Sequence, residues 1–172
     1  SVQNPASYTV ESDVINLQSP VKNGYTFAGW TPSDTIPHAS TWDRVFTATW
    51  DLDSYDIIYN GVDGADNSMN TGSYTVNDFV QLKNPIKTGY TFAGWTEWNY
   101  ISKWTTGTQT FTANWQLDTY TITYYMNGWE NSAQNPVSYT VESGAIQLQT
   151  PSKEWYTFSH WDRELPSTMP DE

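Results

Sequence analysis

The chain of 172 residues contains no cysteine, which excludes disulfide bonds and thiolate chemistry. Basic residues are scarce as well: 7 Lys and Arg stand against 19 Asp and Glu, giving a formal net charge of −12. This negative field repels a phosphate backbone and an anionic membrane surface, so we expect no nucleic acid partner. No apolar run approaches the roughly 18 residues of a membrane-spanning helix, so we expect no membrane span in this region.

Aromatic residues, by contrast, are abundant. They make up 16% of the chain, with 10 Trp and 12 Tyr, whereas charged residues make up only 15%. Aromatic and threonine side chains fit the half-buried surface of a pleated sheet, and a disordered segment would carry few aromatics and much more charge. The composition therefore predicts a folded, mainly β protein.

A long internal repeat organises the sequence. The heptapeptide Gly-Tyr-Thr-Phe-Ala-Gly-Trp recurs, unchanged in the second copy and degraded in the third, at residues 24–30, 89–95 and 155–161. The period is 65 residues and then 66. Two further motifs keep this spacing: Tyr-Thr-Val at residues 8–10, 74–76 and 139–141, and Phe-Thr-Ala-x-Trp at residues 46–50 and 111–115. Periodic similarity along the whole length indicates tandem modules.

The period predicts three repeat units, at residues 1–50, 51–115 and 116–172. The middle unit is complete, opening with Tyr-x-Ile-x-Tyr at residues 55–59. The first unit lacks this opening strand, and the third lacks a closing Phe-Thr-Ala-x-Trp strand. Because unpaired strand edges are sticky, either the chain is a fragment of a longer array, which we favour, or neighbouring chains or segments supply the missing strands.

Apolar and polar residues alternate with a period of two in each unit, which predicts short strands. The Ala-Gly pair at residues 93–94 interrupts the alternation, and a bulge at Gly94 would return Phe92 and Trp95 to one face. In the third copy, Trp155 and His160 replace glycines, so we expect that unit to be strained or differently shaped. No segment keeps a 3.6-residue apolar period, so we expect little helix.

These motifs resemble the Listeria–Bacteroides repeat family, which is related to the internalin B-repeat. The resemblance covers essentially the whole chain, and its most specific part is the Gly-Tyr-Thr-Phe-Ala-Gly-Trp core at residues 89–95. It implies small β-grasp-like modules arranged end to end. It also implies tandem arrays in bacterial surface and secreted proteins, where they serve as stalks or adhesion regions, and it implies no catalytic residue.

The sequence contains no catalytic or cofactor-binding constellation. It has no Gly-x-Ser-x-Gly motif, no phosphate-binding glycine loop and no metal-ligand spacing of His and Cys. His38 lies in a Pro-flanked loop and His160 replaces a glycine, so each is expected to be an ordinary residue. We therefore expect that the chain is not an enzyme and needs no cofactor.

Acidic and basic side chains leave two other sites to consider. We expect no bound metal, and the alternative is calcium, which takes several oxygen ligands. The candidate clusters for calcium are Asp51, Asp53 and Asp56, and Asp63, Asp66 and Asn67. Lys22, Lys87 and Lys153 recur at equivalent positions, where a Lys–Asn isopeptide cross-link is conceivable. The simpler expectation is a turn lysine whose stem covers an aromatic ring.

Aromatic residues separate into two groups. The recurring ones, Tyr25, Phe27, Trp30, Trp50 and their copies, are expected in the core. The others are Trp42, Trp98, Tyr100, Trp104, Trp129 and Trp155. Trp98, Tyr100 and Trp104 share one variable loop, and together with Trp129 they are the candidate contacts for a ligand or partner, since exposed loop aromatics often anchor one. Packing against a neighbouring unit would explain them equally well.

Three functions are compatible with the sequence. The first is a non-catalytic repeat region of a bacterial secreted or cell-surface protein, acting as a stalk or adhesin spacer outside the cell. The second is a module that binds a host or cell-surface protein or glycan through the variable-loop aromatics. The third is a fibre-forming subunit that assembles through its incomplete units. In the first and third, the partners are neighbouring repeats of the same or another chain.

Overall fold

The computed structural model describes residues 3–96 and 98–162. Within those residues it consists of β-strands, turns and irregular segments, without a helix. This confirms the mainly β, tandem-repeat architecture. The strands are β1 (Ile15–Asn16), β2 (Tyr25–Thr31), β3 (Thr35–Ile36), β4 (Thr47–Leu52), β5 (Tyr55–Asn60), β6 (Ser73–Tyr74), β7 (Val80–Gln81), β8 (Tyr90–Trp95), β9 (Tyr100–Ile101), β10 (Gln109–Leu117), β11 (Tyr120–Thr121) and β12 (Ser138–Tyr139).

The second repeat has the fullest sheet, in which four strands follow the order β6-β5-β10-β8. Its first strand, β5, runs parallel to its last strand, β10, with Ile57 opposite Gln109, and antiparallel to β6. A separate antiparallel pair, β7–β9, joins Val80 to Ile101. A central parallel pair of first and last strands is consistent with a β-grasp-like sheet, an assignment that stays a prediction.

The hydrophobic core of the second repeat follows from strand alternation. In β5, Ile57 points inward and is buried, whereas its neighbours Asp56 and Ile58 are exposed. The inward side chains of the other strands close around it, since successive side chains of a strand face opposite sides. The buried cluster comprises Ile57, Tyr74, Leu82, Trp95, Ile101, Phe111 and Ala113.

The first repeat contains two short antiparallel pairs, β1–β3 and β2–β4. The β2–β4 register shifts between Phe27 and Gly29, where Gly29 has φ of 136°. This bulge brings Phe27 and Trp30 into an edge-on ring contact, with centroids 5.6 Å apart. The equivalent rings of Phe92 and Trp95 are 5.4 Å apart in the second repeat. The expected glycine bulge is therefore confirmed in the first repeat, and the second keeps its ring geometry.

The third repeat differs from the other two, as expected. Its described strands are the short pair β11–β12. Trp155 keeps the left-handed backbone of the glycines that it replaces, with φ of 68°. The indole Nε1 of Trp161 is buried without a hydrogen-bond partner, whereas that of Trp30 donates to the carbonyl of Gln18 at 3.3 Å. Residues 163–172 of this predicted unit lie outside the described residues.

Contacts divide the chain into two compact units that do not coincide with the three repeats. One contains Ser1–Lys87 and Phe92–Trp115, and the other contains Thr88–Thr91 and Gln116–Glu172. The turn at Thr88–Thr91 therefore clusters with the third repeat, although it belongs to the second in sequence. The boundaries that we assign to the three repeats stay a prediction.

Candidate interaction surfaces

The heptapeptide turn of the first repeat packs directly on the second repeat. Gly24 is buried, has φ of 77°, and lies so close to Val76 that a Cβ at Gly24 would be 2.2 Å from Val76 Cγ1. The neighbouring Tyr25 hydroxyl lies 3.3 Å from the Nδ2 of Asn77. Only glycine combines this left-handed backbone with so close an approach. We call this contact the first joint.

The same contact recurs one repeat later, and we call it the second joint. Gly89 has φ of 75°, and a Cβ there would be 2.1 Å from Val141 Cγ1. Tyr90 donates a hydrogen bond of 2.6 Å to the carboxylate of Glu142. This hydrogen bond, more than burial, raises the pKa of Tyr90 above its ordinary value. The two joints differ in burial, because Val76 is fully buried whereas Val141 keeps 45% of its surface exposed.

An aspartate that follows the closing strand ties the chain back to each turn. The amide of Asp53 donates to the carbonyl of Gly24 at 3.1 Å, and its carboxylate accepts a bond of 2.7 Å from Thr26 Oγ1. Asp118 repeats this pair with Gly89 at 2.9 Å and Thr91 at 2.6 Å. These bonds give a physical reason why Asp53 has an aspartate counterpart, Asp118, in the second repeat, whereas the counterpart of Asp51 is Gln116.

The recurring lysines place their ammonium groups near aromatic rings. The Nζ of Lys22 is 3.6 Å from the ring centroid of Tyr25, and that of Lys153 is 4.7 Å from the ring centroid of Tyr156. Lys87 lies 5.9 Å from a ring centroid of Trp115. Cation–π attraction between these ammonium groups and the rings stabilises the local structure, and the expectation that the lysine stems cover the rings stays a prediction.

An outward-facing aromatic patch, formed by Phe79, Trp98 and Tyr100, lies on the second repeat. Strand alternation in β9 buries Ile101 and turns Tyr100 outward. Its ring stacks on Phe79, with centroids 5.7 Å apart, and lies 6.2 Å from Trp98. All three side chains are exposed. At the equivalent positions the first repeat carries Val14, Ser33 and Thr35.

The four sequence-predicted contact residues therefore separate in the structure. Trp98 and Tyr100 belong to the aromatic patch, and Phe79 joins them although sequence analysis missed it, since it lies outside the variable loop. Trp104 is exposed, and its amide donates to the carbonyl of Val76 at 2.8 Å. Trp129 packs inside the third repeat against Tyr156 and Phe158.

The first and third repeats each contain a cavity among apolar side chains. A cavity of about 740 Å³ in the first repeat is lined in part by Tyr8, Leu17, Trp30, Ile36 and Phe46. Their counterparts in the second repeat pack around Ile57 of β5. A second cavity of about 520 Å³ lies among Tyr124, Leu148, Phe158 and Trp161 of the third repeat. Strand exchange between copies stays a prediction.

Acidic side chains of the described residues do not gather into a metal site: no group of three or more His, Asp or Glu is placed to hold an ion there. Asp53 is bound to Thr26 instead. Asp66 accepts a bond of 2.9 Å from the amide of Ser68, and bonds to Ser68 lower the pKa of this carboxyl.

The two histidines lie in different settings. His38 Nδ1 lies 2.9 Å from the carbonyl of Ser12. His160 contacts Ser159 Oγ at 2.7 Å and Asp162 at 2.9 Å, which brings together the residue types of a hydrolytic triad. The His160 and Asp162 side chains are 69% and 82% exposed, however. Triad catalysis depends on a buried aspartate and a preorganised oxyanion site, so this contact does not support hydrolysis.

No helix in the described part of the chain is both long enough and apolar enough to cross a membrane. Two similar proteins from Evansella cellulosilytica are nevertheless described as membrane proteins. One, described as Gly-rich, is 24% identical over 90% of this chain, and the other is 23% identical over 83%. The chain spans only about a fifth of the length of these relatives, 19% and 23%. No solved structure matches the chain.

The family comparison covers nearly the whole sequence. The model of the Listeria-Bacteroides repeat domain matches three times, at residues 1–51, 55–117 and 120–168. Each match contains one copy of the heptapeptide. In the first two copies its glycine turn forms a joint, and in the third copy Trp155 stands in place of the joint glycine. Such repeats are typical of bacterial surface proteins and are in general non-catalytic. The chain belongs to the Listeria-Bacteroides repeat family.

Proposed function

We propose that this chain is a non-catalytic spacer in a bacterial cell-surface protein, in which a recurring joint connects successive repeats and the first joint fixes the orientation of the first repeat relative to the second. The observation that carries the proposal is the recurrence of the joint with equivalent contacts. A glycine turn meets a valine, a tyrosine hydroxyl meets a polar side chain, and an aspartate closes the linker. A flexible linker would need none of these contacts.

The joint has the properties that a spacer needs. The turn glycine is buried at both joints, and the linker aspartate holds both the backbone and the side chain of the turn. Val is stiff because its branched Cβ restricts rotation. Bending a joint would therefore break hydrogen bonds and expose apolar surface together. The membrane descriptions of the two relatives support a location at the cell envelope.

Pulsed electron resonance on the whole chain tests the spacer. Because the chain has no cysteine, Val45→Cys and Met69→Cys place one spin label on each of the first two repeats at exposed positions. We expect a single narrow distance distribution. Gly24→Ala should broaden it, because the added Cβ would overlap Val76.

Gly64→Ala is the matched control. Gly64 has φ of 71°, close to that of Gly24, but nothing lies within 4 Å of its Cβ position. It imposes the same backbone strain without the clash, so the distribution should stay narrow. A broad distribution in the unmodified joint would contradict the spacer function.

A second candidate function is partner binding through the aromatic patch. The observation that favours it is the outward stack of Phe79, Trp98 and Tyr100 on the second repeat, at positions where the first repeat carries Val14, Ser33 and Thr35. Rigid aromatic side chains present large contact areas at low entropic cost, and they dominate many interfaces. A glycan or a protein with a flat apolar face would suit such a patch.

Glycan arrays and pull-downs test this candidate. Trp98→Ala should abolish a specific signal, whereas Trp104→Ala should leave it intact, because Trp104 is equally exposed but makes no ring contact with the patch. Equal binding by the Trp98→Ala variant and the unchanged protein would refute a role for the patch.

A further inference from the structure

The surface that receives each glycine turn is a small loop held by one side chain. In the second repeat, the Asp78 carboxylate accepts a bond of 2.8 Å from the amide of Thr75. In the third repeat, Ser143 Oγ accepts the equivalent bond from Thr140 at 2.9 Å. These loops place Val76 and Val141 in the joints. Side-chain bonds of this kind fix a loop before any partner arrives.

The first repeat contains the same loop. Ser12 Oγ accepts a bond of 3.0 Å from the amide of Thr9, and the amide of Ser12 donates back to the carbonyl of Thr9 at 3.0 Å. Val10 stands where Val76 and Val141 stand, and it is 52% exposed. Glu11 occupies the position of Asn77 and Glu142, so a carboxylate is available for a tyrosine hydroxyl.

The turn that would supply such a contact needs glycine, and the third repeat does not have it. Trp155 keeps the backbone of Gly24 and Gly89, with φ of 68°. Its indole is 92% exposed, whereas both glycines are buried. Even a single Cβ added at Gly24 would lie 2.2 Å from the nearest valine methyl, and one added at Gly89 would lie 2.1 Å from it. A full indole therefore prevents docking on a valine loop.

We propose that the loop formed by residues 9–12 is a docking surface for the Gly-Tyr turn of another Listeria-Bacteroides repeat, and that Trp155 bars the third repeat from supplying such a turn. The inference rests on the spacer function, because it assumes that the joints form as described. By this contact the first repeat accepts a further repeat, whereas the third repeat does not supply the turn. The proposal therefore predicts that copies of this chain do not join through the loop.

Cross-linking between two variants of the full chain tests the proposal. One variant carries Glu11→Cys, and the other carries Tyr156→Cys together with Trp155→Gly, so each has one thiol. A short bismaleimide bridges the two cysteines if the restored glycine turn docks on Val10. We expect about tenfold more cross-linked heterodimer with Trp155→Gly than with Trp155 retained, because docking raises the effective concentration of the two thiols.

Two controls make the outcome decisive. Met69→Cys in place of Glu11→Cys puts an exposed thiol on the second repeat instead of the loop and should give only the background yield. Equal yields with and without Trp155→Gly, or equal yields from the Glu11 and Met69 positions, would overturn the docking surface. Circular dichroism of each variant verifies that it folds.

A third variant separates this proposal from the spacer function. Tyr90→Cys with Glu142→Cys in one chain should be bridged internally by the same reagent, and intact mass distinguishes a bridge from two single adducts. If the internal bridge forms while the heterodimer does not, only the docking surface fails. If the internal bridge does not form either, the second joint and the spacer function fail together.

Discussion

At the residue scale, two glycines decide how the repeats meet. Gly24 and Gly89 satisfy two demands at once, because each needs a positive φ and each has a valine methyl where its Cβ would be. Gly64 and Gly94 share the positive φ but face open space. A glycine needed for its backbone conformation alone would tolerate a small side chain at the cost of strain, whereas a joint glycine would not.

The linker aspartate yields a prediction at this scale. Asp118→Ala removes the 2.6 Å bond from Thr91 Oγ1, and we expect it to lower the free energy of unfolding by about 0.5–1.5 kcal/mol, the net value of one hydrogen bond. Urea unfolding followed by tryptophan fluorescence measures the change.

A double-mutant cycle shows whether the loss comes from this bond. Thr91→Ala should cost a similar amount, and adding it to Asp118→Ala should cost little more, since the bond is already lost. Fully additive losses would mean that Asp118 acts through another contact.

At the element scale, β5 holds the second repeat together. It lies between β6 and β10, so it contributes backbone hydrogen bonds on both edges. Its inward residue Ile57 contacts the buried cluster, and its tyrosines pack at the margin of that cluster. In the first repeat, the counterparts of that cluster line a cavity of about 740 Å³.

The inward position of β5 should therefore be sensitive to truncation. Ile57→Ala is expected to lower the free energy of unfolding by about 2–5 kcal/mol, through lost burial and the cavity left behind. Ile58→Ala is the control, because its side chain points outward from the same strand and should cost less than about 0.5 kcal/mol. Equal losses for the two variants would contradict the assigned faces of β5.

At the scale of the whole molecule, burial is concentrated in the second repeat. Among the described residues, Ile36 is the single buried large hydrophobic side chain of the first repeat, and the third repeat contributes none to that set. Several aromatic and aliphatic side chains of the outer repeats are exposed, including Trp42 and Tyr125. Local stability follows buried contacts.

Hydrogen exchange should report this uneven burial. We expect the slowest-exchanging amides in β5, β8 and β10, and faster exchange throughout the short pairs β1–β3 and β11–β12. Mass spectrometry of peptide fragments resolves the three repeats. Uniform protection along the chain would show that the outer repeats are as stable as the central one.

Sequence by itself determined the repeat, its period, its family and its mainly β fold, because each of these depends on local alternation and on recurring residues. It also located the glycine bulge that the β2–β4 pair shows, since a bulge depends on the local alternation of one strand. The absence of a recognisable catalytic motif was visible at the same level.

Tertiary structure alone decided which residues meet across repeats. Nothing in Gly24 or Val76 marks them as partners, because they are 52 residues apart in sequence and their contact depends on how the linker turns back. The same holds for Phe79, which joins Trp98 and Tyr100 only because β7 pairs with β9. Local patterns specify strands and turns, whereas joints and patches depend on register and chain reversal, which only the folded chain fixes.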